Sequence, residues 1–338
     1  MENIISVIVL TYNQEKTIGR TLDSILMQKC HIPFEIELRD DCSHDGTDAI
    51  CRQYAEKYPL IIRYRHNKQN KGIIDNYFDT LLECRGRYIA DCAGDDFWID
   101  PLKLEKEVNI LEQHPEVTLV HTAFNYFDYN KKQIIKKSKT IFNNKITDGE
   151  KMIESIITQT NNPIIQLCTS LYRKDIFLKE YQEDEYMFRN KEFGCEDIQI
   201  AITMALNGKI AFINETTLNY SINHESVSYS HNEEKRFFFN MRTTKLSYYL
   251  KNKYNIDSDN INTFFKKKIF ALYMHAFRSR NKELLQKAKQ KQKEWNVDNN
   301  IKLAITKFVM SNKITWNIML VFRGIFRYIK NILHKYDT

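Results

Sequence analysis

Glycine and proline are scarce in this 338-residue chain, at nine and five residues, and neither clusters. So low a content excludes collagen-like and linker-dominated architectures. Seven cysteines (Cys30, Cys42, Cys51, Cys84, Cys92, Cys168, Cys195) lie scattered, with no Cys-x-x-Cys pair. An odd, unclustered set argues against a disulfide framework or a zinc site and fits small buried hydrophobes in a reducing compartment. No Gly-x-Gly-x-x-Gly follows the first apolar run and no Gly-Lys-Ser/Thr occurs. Dinucleotide-binding oxidoreductases and P-loop nucleotidases are thereby disfavoured. The N-terminal Met-Glu-Asn lacks a basic region and no small-residue cleavage site follows, so no secretory signal is read. The longest uncharged apolar run near the C-terminus, 314–322, is well short of the roughly 20 residues that span a bilayer. A cytoplasmic chain is expected, soluble or peripheral on the inner face of the cell membrane.

Apolar and aromatic residues are plentiful, at 43% and 12% of the chain, ample for a packed core. The length suits one large domain with an appendage. Net charge is +7, yet residues 235–338 hold 23 Lys/Arg against 6 Asp/Glu, which leaves the first part acidic. An acidic first part joined to a basic tail points to two different jobs.

Periodicity predicts strands at 4–10, 34–38, 60–64 and 87–92, alternating with helices at 15–27, 45–58 and 73–84. Pro101 suits the first turn of a further helix. Such alternation indicates an α/β fold with a mostly parallel central sheet covered on both faces. Residues 126–150 read as a polar, lysine-rich excursion. A helix is expected at 151–158, a strand at 166–172, a helix at 197–206 and two short strands at 210–213 and 218–222. From about Glu233 the pattern is helical, basic and aromatic.

In α/β sheets, ligands bind beyond the C-terminal ends of the strands. Four consecutive strand ends here carry polar residues: Thr11-Tyr12-Asn13-Gln14-Glu15, Asp40 to Thr47, His66 to Gly72, and Gly94-Asp95-Asp96. Ser43 and Asp45 fit ordinary helix caps. Adjacent Asp40 and Asp41 repel one another, and one cap needs only one carboxylate. Asp95-Asp96 follows an apolar strand and precedes Phe97-Trp98, which places carboxylates in a partly apolar cleft. An uncompensated carboxylate there is costly, and Mg²⁺ or Mn²⁺ is a fitting partner, one that commonly bridges to diphosphate oxygens.

Val7 to Asn13, Asp40 to Thr47, Asn70-Lys71-Gly72, and Gly86 to Ala90 through Gly94-Asp95-Asp96 occur in the order and spacing of family 2 glycosyltransferases. The resemblance covers roughly residues 4–225. It implies the GT-A fold (a Rossmann-like nucleotide-diphospho-sugar transferase domain) and inverting transfer from a nucleotide sugar. By position, Tyr12, with Thr11 and Asn13 nearby, would border the nucleobase. Asp41 would accept from the base N–H, favouring uracil or thymine. Asp95 would approach ribose and metal, and Asp96 would coordinate the metal. Glu15, Lys71 and Asn76 match further polar positions of the donor cleft. In Gly194-Cys195-Glu196-Asp197 the match makes Asp197 the general base, with Glu196 as neighbour or substitute. A helix N-terminus there would depress both pKa values, leaving a weak base that relies on proximity. Relatives often carry a histidine after the last strand, which makes His224 a candidate metal or diphosphate ligand. Two departures stand out: Ala93, where many relatives have an acid, and Cys42, where glycine or asparagine is common.

The resemblance therefore divides the chain into a catalytic domain at 1–232 and a basic amphipathic helical region at 233–338. Residues 1–100 form the donor-nucleotide half and 101–232 the acceptor half. Between 318 and 335, Ile318, Val321, Phe322, Ile325, Ile329 and Ile332 recur at helical spacing. Arg323, Arg327 and Lys330 form another stripe, with Trp316 and Tyr328 as interfacial anchors. That pattern predicts a membrane-surface contact through 300–338. No nucleic-acid recognition module is visible. The expected activity is transfer from a UDP- or dTDP-sugar to a glycan or lipid-linked acceptor in bacterial surface polysaccharide assembly, with Mn²⁺ or Mg²⁺. The rivals are a nucleotidyltransferase of sugar-nucleotide synthesis and a non-catalytic sugar-binding member of the fold. The first would show a glycine-rich N-terminal signature, whereas 11–20 contains only Gly19.

Overall fold

Four short runs near the N-terminus become neighbouring parallel strands, the inner ones largely buried and the edge strand only partly so. In the computed structural model these are β1 (Glu2–Thr11), β2 (Phe34–Asp40), β3 (Ile62–His66) and β4 (Gly86–Asp91). Val7 pairs with Ile36 on one side and Ala90 on the other, and Leu38 pairs with Tyr64. Between them run α1 (Ile18–Leu26), α2 (Thr47–Lys57) and α3 (Ile73–Glu83). Helix α1 lays Ile18, Leu22 and Ile25 on the sheet, fully buried. It begins three residues later than its periodicity predicts, because the preceding residues are tied to a neighbouring loop. The structure describes residues 2–138, 144–222, 232–299, 301–311, 314–319 and 321.

The sheet continues through the second half of the same unit. Its elements are β5 (Phe97–Trp98), α4 (Lys103–Gln113), β6 (Val117–Asp128), β7 (Gln133–Lys137), β8 (Lys145–Asp148) and α5 (Ile153–Ile157). After them come β9 (Ser170–Arg173), α6 (Lys174–Glu183), α7 (Glu185–Arg189), α8 (Asp197–Leu206) and β10 (Lys209–Ile222). The strand order is β3-β2-β1-β4-β9-β6-β10-β5, with β7 on β6 and β8 on β10. Along that order only β9 and β5 run against the rest, so the sheet is mixed but mostly parallel.

Three differences from the sequence reading are local. The runs 210–213 and 218–222 are one strand whose register slips between Ile213 and Leu218. Such a slip bends a strand without ending it. The excursion at 126–150 supplies the end of β6 and its antiparallel partner β7, then β8. The buried run 117–125 forms β6, an interior strand that was not among the expected elements.

The chain divides into two compact units, Met1–Asn223 and His224–Thr338. The second is helical: α9 (Glu233–Lys253), α10 (Asp259–Ser279), α11 (Lys282–Glu294) and α12 (Ile301–Ser311). Asn232, Ser258 and Asn281 cap the first three with side-chain oxygens. Leu246, Leu250, Ile269, Leu272, Leu284 and Ala288 form its core. Tyr248 packs within this unit, against Phe265 and Trp295. Among the described residues, no helix is long and apolar enough to cross a membrane.

Candidate active site

Beyond the C-terminal ends of β1 and β2, two loops are stitched together. Asn13 N donates to Ser43 Oγ (2.8 Å), and Asn13 Oδ1 accepts from His44 N (2.9 Å). Gln14 N donates to Thr47 Oγ1 and Glu15 Oε2 accepts from Gly46 N, both at 2.8 Å. Contact this close requires sharp turns, and Asn13 and Cys42 are left-handed, at φ 52° and 68°. Asparagine tolerates that region, whereas a cysteine there is strained. This explains why glycine or asparagine suits position 42. Cys42→Gly is expected to raise stability by about 1 kcal/mol, measured as a higher Tm.

The expected donor-facing residues therefore divide. Asn13 and Glu15 commit side-chain oxygens to the neighbouring loop, and buried Thr11 donates to Gln14 Oε1 (2.8 Å). Tyr12 presents a half-exposed ring, edge-on to His44. Asp41 is almost fully buried. Its Oδ1 accepts from Asn67 Nδ2 and Lys71 N, both at 2.9 Å, and its Oδ2 from Gly72 N at 3.0 Å. Asp41 thus holds the loop after β3 against the end of β2. Asn76 is buried and accepts from Asn67 Nδ2 (2.8 Å), while Lys71 Nζ pairs with Asp79 (2.8 Å). Asp40 is also internal, accepting from Ser43 N and facing His66 Nδ1 at 2.9 Å.

The turn after β4 is held from below by one face of α1. Thr17 Oγ1 donates to Gly94 O (2.8 Å), Arg20 Nη2 to Asp95 O (2.9 Å) and Thr21 Oγ1 to Asp96 O (2.6 Å). Positions i, i+3 and i+4 of a helix point the same way, so three successive carbonyls meet three donors. Ser221 of β10 adds a fourth, its Oγ donating to Asp95 O at 2.5 Å. The Arg20 guanidinium also lies 4.0 Å from the Phe97 ring centre, a cation–π contact. Gly94 is tightly packed: a Cβ there would stand 3.0 Å from that of Thr11 and would displace the end of Gln14.

The two aspartates differ in burial. Asp96 is 1% exposed, and its Oδ1 accepts from Ser221 N at 2.7 Å. Its Oδ2 is buried with no hydrogen-bond partner. Asp95 is half-buried, with its backbone carbonyl rather than its carboxylate engaged. Burial pushes both carboxyls above the usual range, and the charge of Asp95 beside Asp96 adds to the effect there.

A second acidic group involves the N-terminal end of α8. Glu196 and Asp197 are half-buried, and Glu196 makes no side-chain cap. Desolvation pushes Asp197 up to about 6, and Glu196 is raised by burial and by Asp197. The pKa depression expected from a helix N-terminus is overridden, because lost hydration outweighs the helix dipole at these positions. Both carboxyls interact with Asp91, the last residue of β4. Asp91 is almost fully buried, has neither oxygen hydrogen-bonded, and is pushed up to about 8 by burial. The Tyr77–Tyr172 hydroxyl pair, 2.7 Å apart, belongs to the same group. Sequence reasoning passed over Asp91, although a carboxyl inside an apolar strand is itself a signal. Arg20, Thr17 and Thr21 gave no such signal, since their role depends on where the turn arrives.

His224 lies outside the described residues. Among those described, Asp95 joins no third histidine, cysteine or carboxylate close enough to share a cation. Magnesium-type cations suit so thin a set, since they keep several waters and bind one or two carboxylates plus substrate phosphates. The partly buried Asp95 carboxylate fits such a set.

Comparisons with known proteins bear on the family and the fold. An uncharacterized protein of Mycobacterium tuberculosis is 42% identical over 114 residues, 34% of this chain and 33% of its own. The aligned segment is thus about a third of that relative's length. The amylovoran biosynthesis glycosyltransferase AmsE of Erwinia amylovora is 27% identical over 186 residues, 54% of this chain and 65% of its own. Among solved structures, S. aureus TarS in complex with UDP-GlcNAc superposes with a TM-score of 0.56 at 18% identity. That superposition covers 80% of this chain and 73% of TarS, and it carries the GT-A fold alone. Residues 6–179, more than half of the chain, match the family described as Glycosyl transferase family 2, and the chain belongs to that family.

Proposed function

We propose that this chain is an inverting, divalent-cation-dependent transferase that moves sugar from a UDP- or dTDP-sugar to a hydroxyl of a glycan or lipid-linked acceptor. The observation that carries the reading is the presence of both a partly buried carboxylate on a clamped turn, Asp95, and a desolvated carboxyl at the start of α8, Asp197. The structural neighbour solved with UDP-GlcNAc supports a uridine nucleotide, and the amylovoran relative supports surface polysaccharide assembly.

In this scheme the open ring of Tyr12 offers a stacking face to the base, and Asp41 shapes the base pocket through the loop after β3. A bound cation stabilises negative charge on the departing diphosphate. Asp95, rather than Asp96, supplies the protein carboxylate for it, with Arg20, Thr17, Thr21 and Ser221 fixing the turn's backbone. Asp197 takes the proton from the acceptor hydroxyl as that oxygen bonds to the anomeric carbon on the face opposite the diphosphate. The bond from the anomeric carbon to the diphosphate oxygen breaks, and the nucleoside diphosphate leaves with its electron pair. A base with pKa about 6 is ionised at neutral pH yet basic enough to accept a proton in the transition state. Asp91, pushed up to about 8, remains neutral while Asp197 ionises, so the base gains no second adjacent charge.

The reading is tested by measuring sugar-nucleotide hydrolysis with Mn²⁺ across a panel of UDP-, dTDP-, GDP- and ADP-sugars. Turnover confined to uridine or thymidine donors supports it, and no turnover of any donor, or turnover of purine donors alone, overturns it. A second outcome concerns Asp41→Asn. An amide cannot accept from Asn67, Lys71 N and Gly72 N together, so the loop after β3 loosens. The donor KM is expected to rise by about tenfold while kcat changes less, the signature of lost ground-state binding.

A further inference from the structure

Helix α12 has two apolar sides, of which only one is accounted for within its own unit. Leu303 and Met310 are buried, and beyond the helix Trp316 turns inward. The Trp316 ring stacks on Phe277 at an interplanar angle of 10°, and Nε1 donates to Phe277 O at 2.9 Å. Trp316 is therefore a packing residue of the C-terminal unit and not the interfacial anchor that the sequence pattern predicts.

The other side faces outward. Ile301, Ile305 and Phe308 are 80%, 56% and 73% exposed. Ile314, Ile318 and Val321, in the helical residues that follow, are also exposed, at 69%, 48% and 59%. Each triplet has the i, i+4, i+7 spacing of a single helical stripe. Ile301, Ile305 and Phe308 form one open apolar stripe of α12, and Ile318 and Val321 are exposed beyond it, which calls for a partner.

The surrounding charge selects among partners. Residues 299–336 contain seven Lys/Arg and no Asp/Glu. A second copy of this chain would bring the same cations together, which opposes self-association through this face. Nucleic acid would satisfy the cations but would gain nothing from isoleucines. An anionic lipid surface satisfies both, through acyl-chain contact for the stripe and headgroup attraction for the cations.

We propose that the exposed α12 stripe Ile301, Ile305 and Phe308, together with the exposed Ile318 and Val321 beyond it, docks this chain on an anionic membrane surface. The contact begins at the start of α12, well before residues 322–335, which lie outside the described residues. It stands independently of the catalytic assignments, and a chain docked in this way works at the face where lipid-linked acceptors are found.

The test is co-sedimentation of the full chain with phosphatidylcholine–phosphatidylglycerol vesicles, compared with phosphatidylcholine alone. The parent is expected to bind the anionic vesicles and to lose binding as salt is raised. An Ile305→Glu/Phe308→Glu double variant is expected to bind at least about tenfold more weakly, as apolar contact is lost and headgroup charge repels the carboxylates. Both side chains are exposed, so an unchanged Tm and unchanged donor hydrolysis separate lost docking from misfolding. Absence of binding to anionic vesicles, or equal binding by the double variant, overturns the proposal. Equal binding to neutral vesicles would overturn it too. A concentration-dependent dimer in light scattering that the double variant dissolves would assign the face to a second copy instead.

Discussion

Asp197→Asn is expected to lower kcat by about 10²–10⁴-fold, the usual contribution of general-base catalysis, with little change in the donor KM. Asparagine nearly matches aspartate in shape but cannot accept the acceptor's proton. Activity of the parent is expected to fall as pH drops through about 6, because the raised pKa protonates Asp197 there. The same shift predicts the sign of the stability effect. A carboxyl whose folded pKa is raised favours the fold below its unfolded value and loses that contribution as pH rises through the folded one. At pH 7.5, Asp197→Asn is therefore expected to melt no lower than the parent while being nearly inactive. An Asp197→Asn variant that retains transfer, with the parent's acid limb near pH 6, would show that another group takes the proton. Glu196→Gln would then be the informative companion, since Glu196 shares the same desolvated helix end.

The second large effect separates the two aspartates after β4. Asp95→Ala is expected to reduce activity by at least about 10²-fold and to abolish activation by Mn²⁺, with Tm unchanged. Its carboxylate is half-buried, and the backbone clamp from Arg20 and Ser221 needs no side chain at position 95. Asp96→Ala should do the reverse in its first effect. It leaves Ser221 N without its 2.7 Å acceptor inside the protein and should cost about 1–3 kcal/mol of stability. Any activity lost should follow the lost fold, and Asp96→Asn, which retains an acceptor oxygen, should restore much of it. Thermal melts and Mn²⁺ titrations on the same three variants decide the matter. If Asp96→Asn instead loses Mn²⁺ activation at full stability, the cation belongs to Asp96, as the motif order alone would have it. In either case, chelating divalent cations from the parent is expected to remove transfer.

Much of the fold could be read from the chain before its coordinates. The β1–β4 alternation is legible because short β-branched and alternating runs are separated by helices whose apolar residues repeat every 3.6 positions. The short antiparallel β9 was harder to place, since only four residues of it are strand and a 3₁₀ turn precedes them. Nor could β10 be recognised as one strand, because its bulged centre, around Asn214 and Glu215, breaks the apolar pattern. In the site, the motifs marked which loops matter but not what their side chains do. Asn13 and Glu15 stand at donor-cleft positions by sequence, yet their side-chain oxygens accept from the adjoining loop. Asp91, by contrast, interacts with Glu196 and Asp197 with no motif to announce it.

The sequence by itself determined the family, the alternation of β1–β4 with α1–α3, and the residues that stand at those strand ends. Those are properties of local periodicity and ordered motifs, and nearby residues set them. Tertiary structure decided which carboxylate of the Asp95-Asp96 pair is fully buried, how far Asp197 is desolvated, and that Trp316 packs inward. Side-chain direction and hydration depend on neighbours remote in the chain, as when Ser221 closes over Asp96 from 125 positions away. No local pattern can encode a contact whose partner is that distant.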